Sequence, residues 1–154
     1  MNDKNLQKFY HQDSKSQTYS KESCAKISLI RNIDGEKRNM LRIYLDNCCF
    51  NRPYDDQSCL RVYLETQAKL HIQEKIKNGG LELVTSYILR YENFMSPFTS
   101  QKSAIDNFLR SYSSYHVGAE KADMITHMAK LIMAAGIKMK DAHHLACMMM
   151  EEYR

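Results

Sequence analysis

Residues 40–46 read MLRIYLD, and here the character of the chain changes. Leu41, Ile43, Tyr44 and Leu45 form a short, β-prone apolar run that stops at an acid, the pattern of a buried strand ending at Asp46. The sequence before this point is different. Lys, Ser, Gln, Asn and Asp dominate residues 1–39, and only ISLIRNI, residues 27–33, offers a short apolar segment. Such a composition buries too little apolar surface to offset the entropy of ordering it. A polar, disordered N-terminal extension is therefore expected over 1–39, and a folded domain over 40–154. The abrupt change also fits a chain whose original start was Met40, later extended upstream.

Beyond Asp46, the run NCCFNRPYDDQ (47–57) has the chemistry of a loop around Pro53. Leu60, Leu64, Ala68, Ile72 and Ile76 then recur at every fourth position, which predicts an amphipathic helix ended by Asn78, Gly79 and Gly80. LELVT (81–85) reads as a second strand, and YILRYENFM (87–95) as a helix that must stop before Pro97. Two more helices are expected, from about Ser100 to Tyr112 and from Val117 to Ala135, the latter closed by Gly136. Asp141 stands where an N-cap would, ahead of AHHLACMMMEE. Strands alternating with helices predict an α/β layer fold with a parallel sheet.

Composition narrows the classes. At 154 residues the chain has room for one domain and a tail. Its 22 basic against 18 acidic side chains give a formal charge of +4, too small for a dedicated nucleic-acid coat. Five Cys is an odd count, and Cys48 and Cys49 are adjacent, which suits a reducing cytoplasm better than a disulfide framework. The first twenty residues hold no apolar segment of the signal-peptide kind. The longest uncharged apolar run, 131–137, is too short to cross a bilayer, so no membrane association is expected.

Chemistry concentrates on three acids. Asp46 closes an apolar strand, where open parallel sheets present their ligand crevice. Glu92 lies within two turns of the second strand's exit, and Asp141 opens the last helix. If the two strands are neighbours these carboxylates converge, and such a cluster suits Mg²⁺ or Mn²⁺, hard cations that take oxygen ligands. Each acid also has an ordinary reading: Asp141 as a helix cap, Glu92 as a solvated helix charge, Asp46 as a loop-initiating residue. Arg52 is a candidate phosphate contact, and Tyr112 and Tyr115 are candidates for base stacking, although packing is their commoner role. His143 and Cys147, with Cys48 or Cys49, make a weaker Zn²⁺ alternative without any CxxC pair. A cysteine nucleophile lacks a positioned base, and a buried inert thiol is the better reading.

The stretches IYLDNCCFNRPYDDQ, LVTSYILRYEN and AAGIKMKDAHHLAC, taken in order, resemble the PIN-domain family, specifically the VapC-like toxin ribonucleases of toxin-antitoxin pairs. The likeness runs from Met40 to Cys147. It rests on a strand ending in Asp, a Ser-(x)5-Glu helix after the second strand, and a Gly-(x)4-Asp-Ala-x-His-x-Ala helix. The resemblance implies that Asp46, Glu92 and Asp141 are the catalytic, metal-binding acids of a ribonuclease using Mg²⁺ or Mn²⁺ to activate water for RNA cleavage. It further implies RNA as substrate, a cognate antitoxin as partner, and a homodimer. PIN domains continue past the third acid into a strand ending in a Thr-Thr-Asp or Thr-Thr-Asn turn, whereas this sequence ends in MMMEEYR. The expected fold is thus a PIN-like three-layer α/β/α domain with its C-terminal strands missing and the outer edge of its first strand unpaired. A catalytically impaired PIN remnant that binds protein or RNA is the alternative function. Cys48 also departs from the Ser, Thr or Asn usual two residues after the first acid.

Overall fold

A computed structural model describes residues 27–30 and 40–152, with side chains over 40–150. Its strands are β1 (Ile27–Ile30), β2 (Arg42–Leu45), β3 (Glu82–Ser86) and β4 (Ser113–Val117). Its helices are α1 (Asn47–Asn51), α2 (Leu60–Lys77), α3 (Tyr87–Phe94), α4 (Thr99–Tyr112), α5 (Ala122–Ala134) and α6 (Met139–Glu152). Strand order follows the sequence, β1-β2-β3-β4; β2, β3 and β4 run parallel while β1 pairs antiparallel with β2. The expected α/β fold with a parallel sheet is present.

Alternation along the strands explains the layers. Ile43 and Leu45 of β2 and Leu83 of β3 face one way, where Phe50, Ile76, Ile105 and Leu109 from α1, α2 and α4 complete a core. Tyr44 and Val84 face the other way, against Ile125 and Ala129 of α5 and Ala142, Ala146 and Cys147 of α6. A side-chain period of two is what splits one strand between two cores. Helix α3 serves both, with Leu89 in the first core and Ile88 in the second.

Four expectations change. The outer edge of β2, expected to be unpaired, is covered by β1, with Ile27 opposite Leu45 and Ile30 opposite Arg42. This strand lies inside the polar segment expected to be disordered; the remainder of 1–39 lies outside the described residues. Second, the expected loop after Asp46 begins with the short helix α1. Third, the segment 113–117 is a strand, so the helix expected from Val117 starts only at Ala122. Fourth, α2 is present but does not bury the predicted stripe: Leu60 and Leu64 are 70% and 56% exposed, while Thr66, Lys69 and Ile76 are buried. Fourfold spacing overshoots a 3.6-residue turn by about 40° per step, so over four steps the stripe winds nearly halfway round the helix. Only its Ile72 and Ile76 end meets the core.

Helix stops follow the sequence. Gly79 and Gly136 take positive φ values of 70° and 88°, after α2 and α5 respectively, the backbone state for which glycine carries no steric cost. Helix α3 ends at Phe94, before Pro97 as required.

Candidate functional site

Neighbouring parallel strands end in the same way. After β2, Asp46 keeps an extended backbone and turns its carboxylate back, so that Cys49 N–H donates to Oδ1 at 2.9 Å and caps α1. At the end of β3, Ser86 is extended too, and Leu89 N–H donates to its Oγ at 3.1 Å, capping α3. Both caps satisfy amide groups that the first helical turn leaves open. They also fix two polar side chains at the carboxyl end of the sheet, with Asp46 only 8% exposed.

A chain of hydrogen bonds crosses from there to α6. The Tyr44 hydroxyl lies 2.8 Å from Ser86 Oγ and 2.7 Å from His144 Nδ1, and His144 Nε2 lies 3.1 Å from Glu92 Oε2. A carboxylate only accepts, so with a neutral imidazole one direction satisfies every group: His144 Nε2–H donates to Glu92, Nδ1 accepts from the Tyr44 hydroxyl, and Tyr44 accepts from Ser86, whose oxygen also takes Leu89 N–H. Burial drives the Tyr44 phenol well above its ordinary range, with Cys147 adding to the effect, so it keeps the proton this direction needs. Cys147 itself is pushed up to about 12 by burial, which makes it an inert neighbour.

Asp46 directly follows Leu45 at the carboxyl end of β2, and Glu92, on the helix that follows β3, is joined through His144 to Tyr44, two residues before Asp46. Asp141 is not the cap its sequence position suggests, since α6 begins at Met139 and places it within the first turn. It stands three residues before His144, and side chains so spaced share a helix face. The face of α6 that touches Glu92 therefore also carries Asp141. Among the described residues, however, no three or more His, Cys, Asp or Glu side chains are gathered as a metal-holding group.

Donor chemistry at this end still suits a hard cation. Besides the carboxylates, Asn47 Oδ1, next to Asp46, is buried without a hydrogen-bond partner among the described residues. An amide oxygen is a ligand type that Mg²⁺ and Mn²⁺ accept.

Other candidates take structural roles. Arg52, a sequence candidate for phosphate, pairs with Asp55 at 2.9 Å and with Glu65 at 2.8 Å, tying the turn after α1 to α2. The Zn²⁺ alternative separates: Cys49 and Cys147 belong to cores on opposite faces of the sheet. Burial raises the Cys49 thiol far above its ordinary range, the reverse of an activated nucleophile. Tyr112 packs at a tilt against Phe108 with ring centres 5.0 Å apart, and Tyr115 lies under the Arg42 guanidinium.

Pattern reading missed Tyr44, Ser86 and His144 as members of one network. The alternation that puts Ile43 and Leu45 in one core puts Tyr44 in the other, which was the available signal. Comparison of the chain with known protein families, curated proteins and solved structures finds no match.

Proposed function

We propose that the chain is a PIN-like, metal-dependent endoribonuclease of a toxin-antitoxin pair, with Asp46, Glu92 and Asp141 holding Mg²⁺ or Mn²⁺. The observation that supports this reading is the connection of Glu92, on the helix after β3, through His144 to Tyr44 of the neighbouring parallel strand, which ends at Asp46. The layered α/β arrangement is compatible with such a fold. A bound divalent cation would supply water activation and charge stabilisation for phosphodiester hydrolysis. The protein's own contribution is orientation. Asp46 is fixed by its Cys49 hydrogen bond, Glu92 by His144, and α6 presents Asp141 from its first turn.

The test is cleavage of single-stranded RNA in the presence of Mn²⁺ by the full chain and by Asp46→Asn. The substitution is expected to lower the rate at least about 100-fold, as loss of a metal-holding carboxylate should. Equal cleavage by both proteins would exclude this site. A second reading, a PIN remnant that binds RNA or an antitoxin without cutting, draws on the dispersal of the acids. It predicts RNA or protein binding with no Mn²⁺-dependent cleavage by either protein.

A further inference from the structure

Every carboxylate in the proposed site is part of the expected chemistry; His144 is not. It sits between a buried phenol and a carboxylate, its side chain 12% exposed and that of Glu92 15%. Nδ1 is engaged by Tyr44 at 2.7 Å, Nε2 faces Glu92 at 3.1 Å, and the ring lies 5.7 Å from the Tyr44 ring at 54°. Tyr44 is held in turn by Ser86, whose own position is set by capping α3. Glu92 is carried by that same helix. Helix α3 therefore fixes both ends of the chain, and α6 supplies the link that closes it.

From this geometry we propose that His144 is a positioning residue for Glu92, donating Nε2–H to Oε2, with Tyr44 and Ser86 fixing the ring that does so. This proposal rests on the nuclease reading for its purpose, though not for its geometry. A carboxylate two turns into a helix has several rotamers; one hydrogen bond from a fixed ring selects among them and leaves Oε1 outside that bond. Partners of this kind set the orientation of ligands they never replace. His144 would thereby orient Glu92 as a ligand without being one itself.

Two measurements test it on the full chain. Mn²⁺ affinity is measured by calorimetry for the wild type, His144→Phe and His144→Gln, with thermal unfolding run on each to establish that it folds. His144→Phe keeps a ring of similar bulk but no donor, and is expected to weaken Mn²⁺ binding by about 10- to 100-fold. His144→Gln retains an amide donor and is expected to recover most of that loss. Unchanged binding in His144→Phe, or no recovery in a folded His144→Gln, overturns the proposal. The second readout is the imidazole ¹⁵N and N–H spectrum, free of metal: a slowly exchanging proton on Nε2 and none on Nδ1, the Nε2 proton becoming fast in Glu92→Ala. A proton on Nδ1 with none on Nε2, or a spectrum indifferent to Glu92→Ala, also overturns the proposal. A wild-type chain that binds no Mn²⁺ while showing the expected spectrum removes the nuclease reading and leaves the Glu92–His144 contact standing.

Discussion

Lys69 is buried, and its ammonium lies 5.7 Å from the centre of the Phe50 ring. Desolvation lowers its pKa to about 8, with the Lys77 charge acting in the same direction and Cys49 opposing. In the unfolded chain a lysine titrates near about 10.4. Between these values the unfolded state binds more protons than the folded one, so stability rises with pH across that window. Below pH 8 the folded protein carries the full cost of a buried charge. Lys69→Met is expected to be more stable than the wild type by on the order of 1 kcal/mol near neutrality, after the lost attraction to Phe50 and solvent screening are allowed for. The advantage should shrink as pH climbs from about 8 to about 10.4. Urea unfolding of both proteins across this range checks the point; parallel curves would assign the pH dependence to other groups.

At the scale of elements, Ser86 connects β3, α3 and the Tyr44 hydroxyl through one oxygen. Ser86→Ala leaves Leu89 N–H uncapped and Tyr44 with one partner fewer, for an expected loss of about 1–3 kcal/mol in urea unfolding. A loss no larger than that of an ordinary surface substitution would show that water replaces both bonds. Elements whose own residues carry enough pattern were legible in the sequence. β2, β3 and α3 each declare themselves through apolar runs with clear stops, and Gly79 and Gly136 mark true helix ends. β4 was not legible because its SSYHV segment lies at the sheet's edge and buries only Val117, too little to show an alternation. β1 was hidden for a related reason: four residues in a polar stretch become a strand only where β2 offers its edge. The acids were readable as chemistry at strand and helix ends. Their coupling through His144 was not, because Tyr44 and His144 lie a hundred positions apart and no local period relates them.

For the whole molecule, the antiparallel β1 completes a sheet whose other three strands are parallel. A chain begun at Met40 would lack it and expose the unpaired backbone groups of β2, the kind of edge that recruits another strand. Such a chain is expected to unfold at lower urea and to elute at larger, concentration-dependent size than the full chain. Matching midpoints and elution for both would show that β1 adds nothing to the fold. The polarity of β1 carries another consequence. Ile27 stands across from Leu45 and Ile30 across from Arg42, so β1 begins beside the rim that carries Asp46 and ends at the opposite one. Ile27, at the amino end of β1, thus stands at the same rim as Asp46, and a spin label introduced at that position would report on that mouth rather than on the remote side of the sheet.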